Sequence, residues 1–396
     1  MTGLVEKQAS KSNGIGYVPT PQHIVEFMVG LCRREVRSVL EPASSDTAPF
    51  LRLLLQNSPS VQVLALDIDR VPDDLPSIQT DFLLWDTDRK FDLVIGNPPY
   101  GIVGDSSHYP IGELKERKAR YRQVISTWHG KYNLYAAFVE KGLSLLADEG
   151  ELIYIIPSSW MLLDDFSKLR KLLSLYHVDV YHSGQVFPGR NVDAVVLHVK
   201  RTGRNRLVLY ADDERFEYQP YHGEPIRFLH PHHLQFERSG VPLGHLFDIR
   251  FAARSTEFRD HVSSVPLDGY LPVLTGRNLK PGWIDYETCY SGWWMSREWA
   301  YRIRPFYKQT RLVVAHTKGT RCVAAVDDRG YPWREEFQLI PRCEMDLHAI
   351  CDYLNGDEVN RYLSEVYRNI IPHLTLWMLA RIPVPSSLVS DRLTVL

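Results

Sequence analysis

The first half of the chain alternates between short runs of Val, Leu and Ile and longer segments with apolar residues every three or four positions. Short apolar runs predict buried strands, and the wider spacing predicts amphipathic helices. The predicted strands are residues 36–41, 61–69, 91–95, 151–156, 178–181 and 192–199, and the predicted helices are 24–33, 49–56 and 134–146. Strands separated by helices indicate an α/β domain with a parallel sheet of about seven strands and helices on both faces.

After about residue 205 this alternation is lost. The segments become short and aromatic and are interrupted by Gly and Pro, as in residues 222–225 and 331–332. No internal repeat or low-complexity tract accompanies the change. We therefore predict two domains, an α/β domain over residues 1–235 and a less regular α+β domain over residues 236–396.

The composition is typical of a globular protein. The 396 residues are 44% hydrophobic and 24% charged. Five scattered cysteines, without a Cys-x-x-Cys pair, favour a reducing compartment and argue against a disulfide framework or a zinc site. The sequence has neither a signal-peptide pattern nor an apolar run of membrane-spanning length, so we expect a cytoplasmic protein without a membrane partner.

The distribution of charge says more than the net charge of −2. Residues 275–321 contain nine Lys or Arg and three acids. Such a basic stripe is expected where one face of a protein meets phosphates. The alternative is an ordinary solvated face whose cations have acidic partners elsewhere in the fold, and the charge pattern alone does not separate the two. Four cations of this stripe, Arg277, Lys280, Lys318 and Arg321, also lie in stretches that carry a family resemblance described below, and with it they are the candidate DNA contacts, because long cations bind phosphates and Arg can also bond guanine bidentately.

The clearest chemical signal is the tetrad Asn97-Pro98-Pro99-Tyr100, which directly follows the predicted strand 91–95. Ligands of open parallel sheets bind beyond the carboxyl ends of strands, so the tetrad lies where an active site is expected. The two prolines stiffen the turn. A simple rigid turn is the alternative, but a turn requires neither the second proline nor the tyrosine.

This arrangement suits methylation of an exocyclic amine. The Asn97 side-chain oxygen and the Pro98 carbonyl can accept the two N–H groups of the amine, which frees its lone pair to point at a methyl donor. Tyr100 offers a flat face on which a base flipped out of a duplex can stack. The tetrad thus predicts transfer to an amine such as adenine N6.

A histidine-rich segment, His230-Pro231-His232-His233, raises the question of a metal site. The predicted chemistry requires no metal, and the sequence places no carboxylate or Cys nearby with ligand spacing. We predict no metal here and interpret the segment as an exposed linker.

From about Tyr17 to Arg381 the chain resembles the gamma-class DNA adenine-N6 methyltransferases, and within them the TaqI type. The stretches that carry the resemblance are 20–21, 39–43, 80–85, 91–104, 131–135, 185–188, 275–283, 316–321 and 372–375. The resemblance implies a Rossmann-like domain that binds S-adenosyl-L-methionine, followed by an α+β domain that recognises double-stranded DNA.

The resemblance also implies roles for individual residues. Phe187 would sandwich the flipped adenine together with Tyr100, although most aromatic residues after a strand belong to the core. Asp67 would bond the cofactor ribose, or it could simply cap a turn. The remaining implied cofactor contacts are Thr20 and Glu41 near the methionine end, Asp81 and Phe82 at the adenine, and Pro99 and Phe138 beside them.

One loop departs from the family pattern. Where the family has a glycine-containing loop after the first strand, residues 44–48 read Ser-Ser-Asp-Thr-Ala and contain no glycine, and the loop is one residue longer. Glycine there supplies unusual φ values and close backbone approach. Either the loop is rebuilt without glycine and the cofactor binds, or the protein is a catalytically impaired methyltransferase fold that still binds DNA.

The resemblance implies methylation of adenine in the palindrome TCGA, within a restriction-modification system that includes a cognate endonuclease. A catalytic domain with its own recognition domain can work as a monomer. Glutamine methylation of proteins and guanine-N2 methylation of RNA use the same tetrad, but they predict a smaller chain with any extra domain before the motifs. Here the extra domain follows them, which favours duplex DNA.

Overall fold

The computed structural model describes residues 18–33, 35–105, 111–316 and 318–389. Tyr17 and Thr317, which belong to the stretches with the family resemblance, lie outside the described residues. The chain divides into two compact units, Met1–Ile226 and Arg227–Leu396. The division precedes the boundary predicted at residue 235, because the helix Pro231–Arg238 packs within the second unit, where His233 lies 2.8 Å from Glu365.

The first unit contains a nine-stranded sheet with helices around it. Its strands are β1 Ser38–Pro42, β2 Gln62–Asp67, β3 Ser77–Gln79, β4 Phe91–Gly96, β5 Leu146–Pro157, β6 His177–Gly184, β7 Ala194–Lys200, β8 Arg206–Ala211 and β9 Glu214–Tyr218. Its helices are α1 Gln22–Gly30, α2 Pro49–Asn57, α3 Lys118–Val124, α4 Leu134–Ser144 and α5 Ser167–Leu173. The strand order is β3-β2-β1-β4-β5-β7-β6-β8-β9.

The predicted strands and helices of this unit are all found, but the sheet has nine strands instead of about seven, and it is mixed and not parallel throughout. Strands β1 to β5 pair in parallel, whereas β7 is antiparallel to both β5 and β6. The connection 185–193 is too short for a parallel crossover, which needs a dozen or more residues. The hairpin of β8 and β9 lies beyond residue 205, where the sequence pattern had become irregular.

The strand order creates the crevice that a ligand needs. Strands β1, β2 and β3 extend to one side, and β4 returns to pair with β1 on the other side. The order therefore reverses between β1 and β4, and ligands of such sheets bind at this point, beyond the carboxyl ends of the strands. The strands themselves are firmly buried: Val39, Leu93 and Ile153 are inaccessible to solvent.

The second unit is an irregular α+β structure, as predicted. Its strands are β10 Gly240–Pro242, β11 Phe247–Phe251, β12 Tyr270–Pro272, β13 Leu279–Lys280, β14 Trp283–Ile284, β15 Trp294–Ser296, β16 Arg311–Val314, β17 Ala324–Asp327, β18 Phe337–Pro341 and β19 Pro383–Pro385. Its helices are α6 Pro231–Arg238, α7 Leu243–Leu246, α8 Ser255–Phe258, α9 Arg297–Ile303, α10 Leu347–Asn355, α11 Asp357–Tyr367 and α12 Leu376–Ala380. A four-stranded antiparallel sheet, β11-β18-β16-β17, forms its centre. In the part of the chain that the structure describes, no helix has the length and apolar character required to span a membrane.

Candidate active site and nucleic-acid interface

The tetrad begins one residue after β4, at the reversal of strand order. Both hydrogens of the Asn97 side-chain amide are used, because Nδ2 donates to the Val18 carbonyl and to the Thr20 hydroxyl, each at 3.1 Å. Among the described residues nothing donates to Asn97 Oδ1 or to the Pro98 carbonyl. Two acceptors therefore remain available side by side along the chain, as the proposed amine chemistry requires.

Tyr100 is oriented by its own hydroxyl, which donates to the Ile155 carbonyl of β5 at 3.0 Å. Burial raises the pKa of Tyr100 well above its ordinary value of 10, so the phenol is neutral and cannot serve as a base near neutral pH. The ring of Phe187 lies 5.9 Å away at 78°, an edge-to-face contact. Phe187 is only 2% exposed and belongs to the hydrophobic core, so the two rings do not form an open parallel slot in this structure.

A cleft of about 430 Å³, including its open mouth, lies beside the tetrad. Phe82 and Phe138 line it with ring centroids 5.0 Å apart, and the carboxylate-bearing residues Asp67 and Asp81 line it as well. The other lining residues are Ala43, Ile68, Thr80, Leu83, Pro99, Ile111, Leu114, Tyr121 and Leu134. An apolar slot with two acids fits an adenosine, which has a flat ring, a donating amine and a ribose diol. Five of the predicted cofactor residues are thus brought together in one cleft.

Asp81 is held from several sides. Its Oδ1 accepts from the Leu83 amide at 3.1 Å, and its Oδ2 accepts from Arg117 at 2.7 Å and from the Tyr121 hydroxyl at 2.8 Å. A carboxylate offers about four acceptor positions, so one remains for a ligand amine. The sequence did not predict the roles of Arg117 and Tyr121. They lie 36 and 40 positions after Asp81, and no motif marks a contact over such a distance.

Two predicted cofactor acids, Asp67 and Glu41, accept hydrogen bonds from the protein itself. The carboxylate of Asp67 accepts from the Ser45 and Asp69 amides, at 2.9 and 2.8 Å, which is the turn-capping alternative raised from the sequence. Glu41 is buried and accepts from the Leu51 amide at 3.1 Å, at the start of α2. Burial raises the pKa of both acids, and that of Glu41 lies well above its ordinary value.

The glycine-free loop closes by placing alanine and serine in left-handed backbone conformations. The φ angles are 63° at Ala43, 50° at Ser45 and 38° at Ala48. Such conformations cost a non-glycine residue about 1 kcal/mol or more each. Hydrogen bonds offset this strain: the Ser44 amide donates to Leu66 at 2.9 Å, and the Ala48 amide donates to Ser44 at 3.0 Å. The loop is therefore rebuilt without glycine.

The nine basic residues of the stripe differ in their surroundings within the second unit, because some pair with acids and others are exposed to solvent. Arg311 is fully buried and paired with Asp327 at 2.9 Å, and Arg304 is paired with Glu257 at 2.7 Å. By contrast, three of the four predicted DNA contacts are exposed and have no acidic partner among the described residues: Arg277, Lys280 and Arg321.

The fourth predicted DNA contact, Lys318, lies partly inside the fold. Its Nζ donates to the Leu279 carbonyl at 2.9 Å, and burial lowers its pKa. Glu336 joins the same two loops, because it accepts from the backbone amides of Gly276 and of His316, the latter at 2.6 Å. Glu336 is 3% exposed, and burial raises its pKa to about 7. The predicted contacts Arg277, Lys318 and Arg321 are thus presented by loops that are tied together.

The histidine segment is not the exposed linker that the sequence suggested. It begins helix α6, where His233 is buried, and His232, His233 and Glu365 bring their potential metal-binding atoms within 4.8 Å of one another. However, His233 Nδ1 accepts from the His230 amide at 3.2 Å, so a neutral His233 has its proton on Nε2, directed at Glu365. A metal would need that nitrogen without its proton, so this geometry fits an ion-pair or hydrogen-bond cluster better.

Two protein families match the chain. The Eco57I restriction-modification methylase family matches residues 56–187, which include the tetrad and much of the cleft. The TaqI-like C-terminal specificity domain matches residues 271–384, which include the exposed cations. The two matches fall in different compact units, so a methylase module and a specificity module correspond to the observed division.

One relative supports this assignment, and two solved structures share the fold. The Type II methyltransferase M.TthHB8I of Thermus thermophilus is 48% identical over 394 residues, or 94% of this chain and 92% of that protein. The Type ISP restriction-modification enzyme LlaGI, solved as a nuclease-deletion mutant with a DNA substrate mimic, shares the fold at a TM-score of 0.55 and 12% identity over 85% of this chain and 49% of that one. The Type IIL restriction-modification enzyme MmeI, solved with DNA, shares the fold at a TM-score of 0.54. Its identity is 12%, and the match covers 93% of this chain and 63% of that one. The chain therefore belongs to the TaqI-like type II restriction-modification DNA methyltransferases, whose cofactor is S-adenosylmethionine.

Proposed function

We propose that this methyltransferase transfers the methyl group to N6 of an adenine flipped out of duplex DNA, within the sequence TCGA. The observation that carries the proposal is the anchoring of the Asn97 amide by Val18 and Thr20. With both of its hydrogens committed, Asn97 can only present an acceptor to the substrate. An acceptor pair suits an amine that donates two hydrogens.

The residues of the tetrad divide the chemical work. Asn97 Oδ1 and the Pro98 carbonyl accept the two N–H groups of adenine N6, which favours a tetrahedral nitrogen with an available lone pair. S-adenosylmethionine, when bound, supplies an electrophilic methyl group. Because the amine attacks as a neutral group, no strong base is required first, which agrees with the neutral phenol of Tyr100. The methylated nitrogen would then release one proton, and the donor would leave as a neutral thioether.

Stacking of the flipped base requires space between Tyr100 and Phe187. The edge-to-face contact at 5.9 Å leaves no such space, so we propose that the segment 185–193 moves outward when the base enters. This segment connects β6 to β7 and is closed by hydrogen bonds from Gln185 to Asn191 at 2.8 Å and between His182 and Asp193 at 3.0 Å. The contact between Gln185 and Asn191 is exposed and can be exchanged for water, whereas the contact between His182 and Asp193 is largely buried and holds the base of the segment.

We propose that Asp81, Phe82, Pro99 and Phe138 hold the adenine end of the cofactor and that Asp67 bonds its ribose. This assignment is supported by their shared cleft. Thr20 and Glu41 would then act at the methionine end mainly by positioning, because Thr20 holds Asn97 and Glu41 holds the first turn of α2.

A second candidate is an impaired methyltransferase that binds DNA without transferring methyl groups. It rests on the absent glycines and on the strain at Ala43, Ser45 and Ala48. The closed hydrogen bonding of the loop favours the active enzyme. The specificity-domain match favours DNA over the RNA guanine and protein glutamine that the same tetrad can methylate elsewhere.

We further propose that the enzyme acts as a monomer and protects its site from a cognate restriction endonuclease with the same target. The monomer is supported by one chain that contains both a methylase module and a specificity module. A gene for such an endonuclease beside the gene for this protein would support the biological role.

The proposal is tested with radiolabelled S-adenosylmethionine and a TCGA duplex, with calorimetry for cofactor binding. We expect transfer to the unmodified duplex and none to a duplex already methylated at both adenines. Asn97→Ala should lower transfer at least about a hundredfold and leave DNA binding intact. The exposed Asn57, at the end of α2, provides the matched control Asn57→Ala. Cofactor binding without transfer to any duplex would support the impaired alternative instead.

A further inference from the structure

The hairpin of β13 and β14 places an open indole beside one of the exposed cations. Lys280 and Trp283 face each other across the hairpin, and Leu279 and Ile284 form the next pair. Leu279 and Ile284 are buried in the core of the second unit, so Lys280 and Trp283 point outward. Trp283 is 56% exposed, a large exposure for an indole.

The hairpin is rigid. Pro281 and Gly282, the latter with φ of 78°, occupy the central positions of a turn that favours Pro and then Gly. The Gly282 amide donates to the Ala324 carbonyl at 2.9 Å, which attaches the tip to β17. At the base, the buried Asn278 donates to the Asp285 and Thr288 carbonyls, at 2.8 and 2.7 Å. A side chain at such a tip is presented in advance and loses little freedom on binding.

A comparison with Trp299 shows what is unusual about Trp283. Trp299, in the same unit, is 37% exposed, and its ring is covered by His261, stacked at 4.0 Å, and by Arg302 at 4.9 Å. Trp283 has no aromatic or cation–π partner among the described residues. Its ring faces are therefore available to a partner.

The surrounding charge identifies the chemistry of that partner. Arg277 and Lys280 are exposed in the same segment, and Lys280 is close enough to Lys318 to help lower the pKa of the Lys318 amine. Cations beside an open aromatic ring suit a polyanion with flat or apolar surfaces between its charges, which describes nucleic acid.

We infer that Trp283 contacts the duplex directly, packing its ring on a base or deoxyribose while Lys280 binds an adjacent phosphate. This inference rests on the proposed function, because it assumes that the duplex lies on the exposed cations. It adds a non-ionic DNA contact to the ionic contacts predicted from the sequence. A ring contact is insensitive to salt, whereas each phosphate contact contributes to the salt dependence of binding.

Fluorescence anisotropy with a labelled TCGA duplex at several salt concentrations tests the inference. We expect Trp283→Ala to weaken binding about tenfold with an unchanged salt slope, and Trp283→Phe to recover most of the affinity. Lys280→Ala should instead reduce the slope by about one charge. Trp299→Ala is the matched control and should bind within about twofold of the wild type, since its ring is already covered.

Affinity of Trp283→Ala within twofold of the wild type would overturn the inference, as would an altered slope. Thermal unfolding checks that the variants are folded. If Trp283→Ala is unfolded, the contact is tested with Trp283→Phe and by photocrosslinking the wild type to duplexes that contain 5-iododeoxyuridine. The absence of a crosslink to Trp283 at every substituted position would refute the contact. A wild type that binds no duplex would refute the proposed function, whereas wild-type binding with an unaffected Trp283→Ala refutes this contact alone.

Discussion

The amide nitrogen of Asn97 donates to the hydroxyl of Thr20 at 3.1 Å, across 77 residues of sequence. Together with the bond to the Val18 carbonyl, this contact determines which end of the Asn97 side chain faces the substrate. The first residues of the described chain thus take part in positioning the tetrad. The proposed chemistry requires an acceptor at Asn97, and this contact supplies the correct orientation.

Removing the Thr20 hydroxyl should therefore affect transfer more than binding. We expect Thr20→Val to lower the turnover rate about tenfold, because a misplaced Asn97 holds the amine poorly. Thr20→Ser retains a hydroxyl and should recover most of the rate. Single-turnover kinetics with saturating duplex measures the effect, and an equal loss in Thr20→Val and Thr20→Ser would argue against this role of the hydroxyl.

The exposed cations should account for part of the salt dependence of DNA binding. Arg277→Ala and Arg321→Ala should each weaken binding and reduce the salt slope by about one, since each removes one phosphate contact. Lys318→Ala should change the slope less and the stability more, because its amine already bonds Leu279. Unchanged slopes for both arginine variants would remove these residues from the interface.

The strained loop predicts a stabilising substitution. Ala43 has φ of 63°, which glycine adopts without a steric cost, so Ala43→Gly should raise stability by about 0.5–1 kcal/mol. Ala119, exposed in helix α3, provides a control of opposite sign, because glycine in a helix destabilises by about 1 kcal/mol relative to alanine. Denaturant unfolding measures both changes. A destabilised Ala43→Gly would contradict the strain that the backbone indicates.

Glu336 predicts a dependence of stability on pH. Burial raises its pKa to about 7 in the folded state, above the ordinary value of 4.5, so the folded state holds a proton that the unfolded state releases. Stability should therefore be higher near pH 4.5 and fall as pH rises to about 7, by up to about 3 kcal/mol from this group. The charged and titratable neighbours of Glu336 are His316, Lys318 and Glu335. They contribute to the pH dependence of stability both in the wild type and in a variant that lacks the Glu336 carboxyl group.

The variant Glu336→Gln should show a smaller loss of stability than the wild type between pH 5 and pH 8. The exposed Glu298, replaced by Gln, serves as the control and should leave the wild-type pH profile intact. Thermal midpoints across this range provide the measurement. Parallel profiles for the wild type and Glu336→Gln would show that Glu336 titrates in the ordinary range of a carboxyl group.

The sequence predicted those parts of the fold and site that rest on local patterns. The apolar runs located the strand that precedes the tetrad. The family resemblance pointed to Asp81, Phe82 and Phe138, which do share one cleft. The contacts of Asp81 with Arg117 and Tyr121 were not predictable, because they depend on how a distant segment folds over the cleft. The direction of β7 followed from the length of a connection, which the apolar pattern alone does not reveal.

The basic stripe illustrates the same limit. Nine cations close together in sequence predicted a basic surface that meets phosphates. However, Arg311 forms a buried pair with Asp327, and Arg304 bonds Glu257. Arg311 lies on β16 and Arg304 follows α9, so a run of charges in the sequence is distributed over different elements, and some of its cations pair with acids. Only the structure separates the structural cations from Arg277, Lys280 and Arg321.

The central claim is that the tetrad directs the methyl group to adenine N6 in TCGA. The most direct measurement is nucleoside analysis by mass spectrometry of a TCGA duplex incubated with the enzyme and S-adenosylmethionine. We predict N6-methyldeoxyadenosine from the wild type and almost none from Asn97→Ala, with a duplex in which TCGA is scrambled left unmodified. Methylcytosine as the product, or equal adenine methylation of the scrambled duplex, would contradict it.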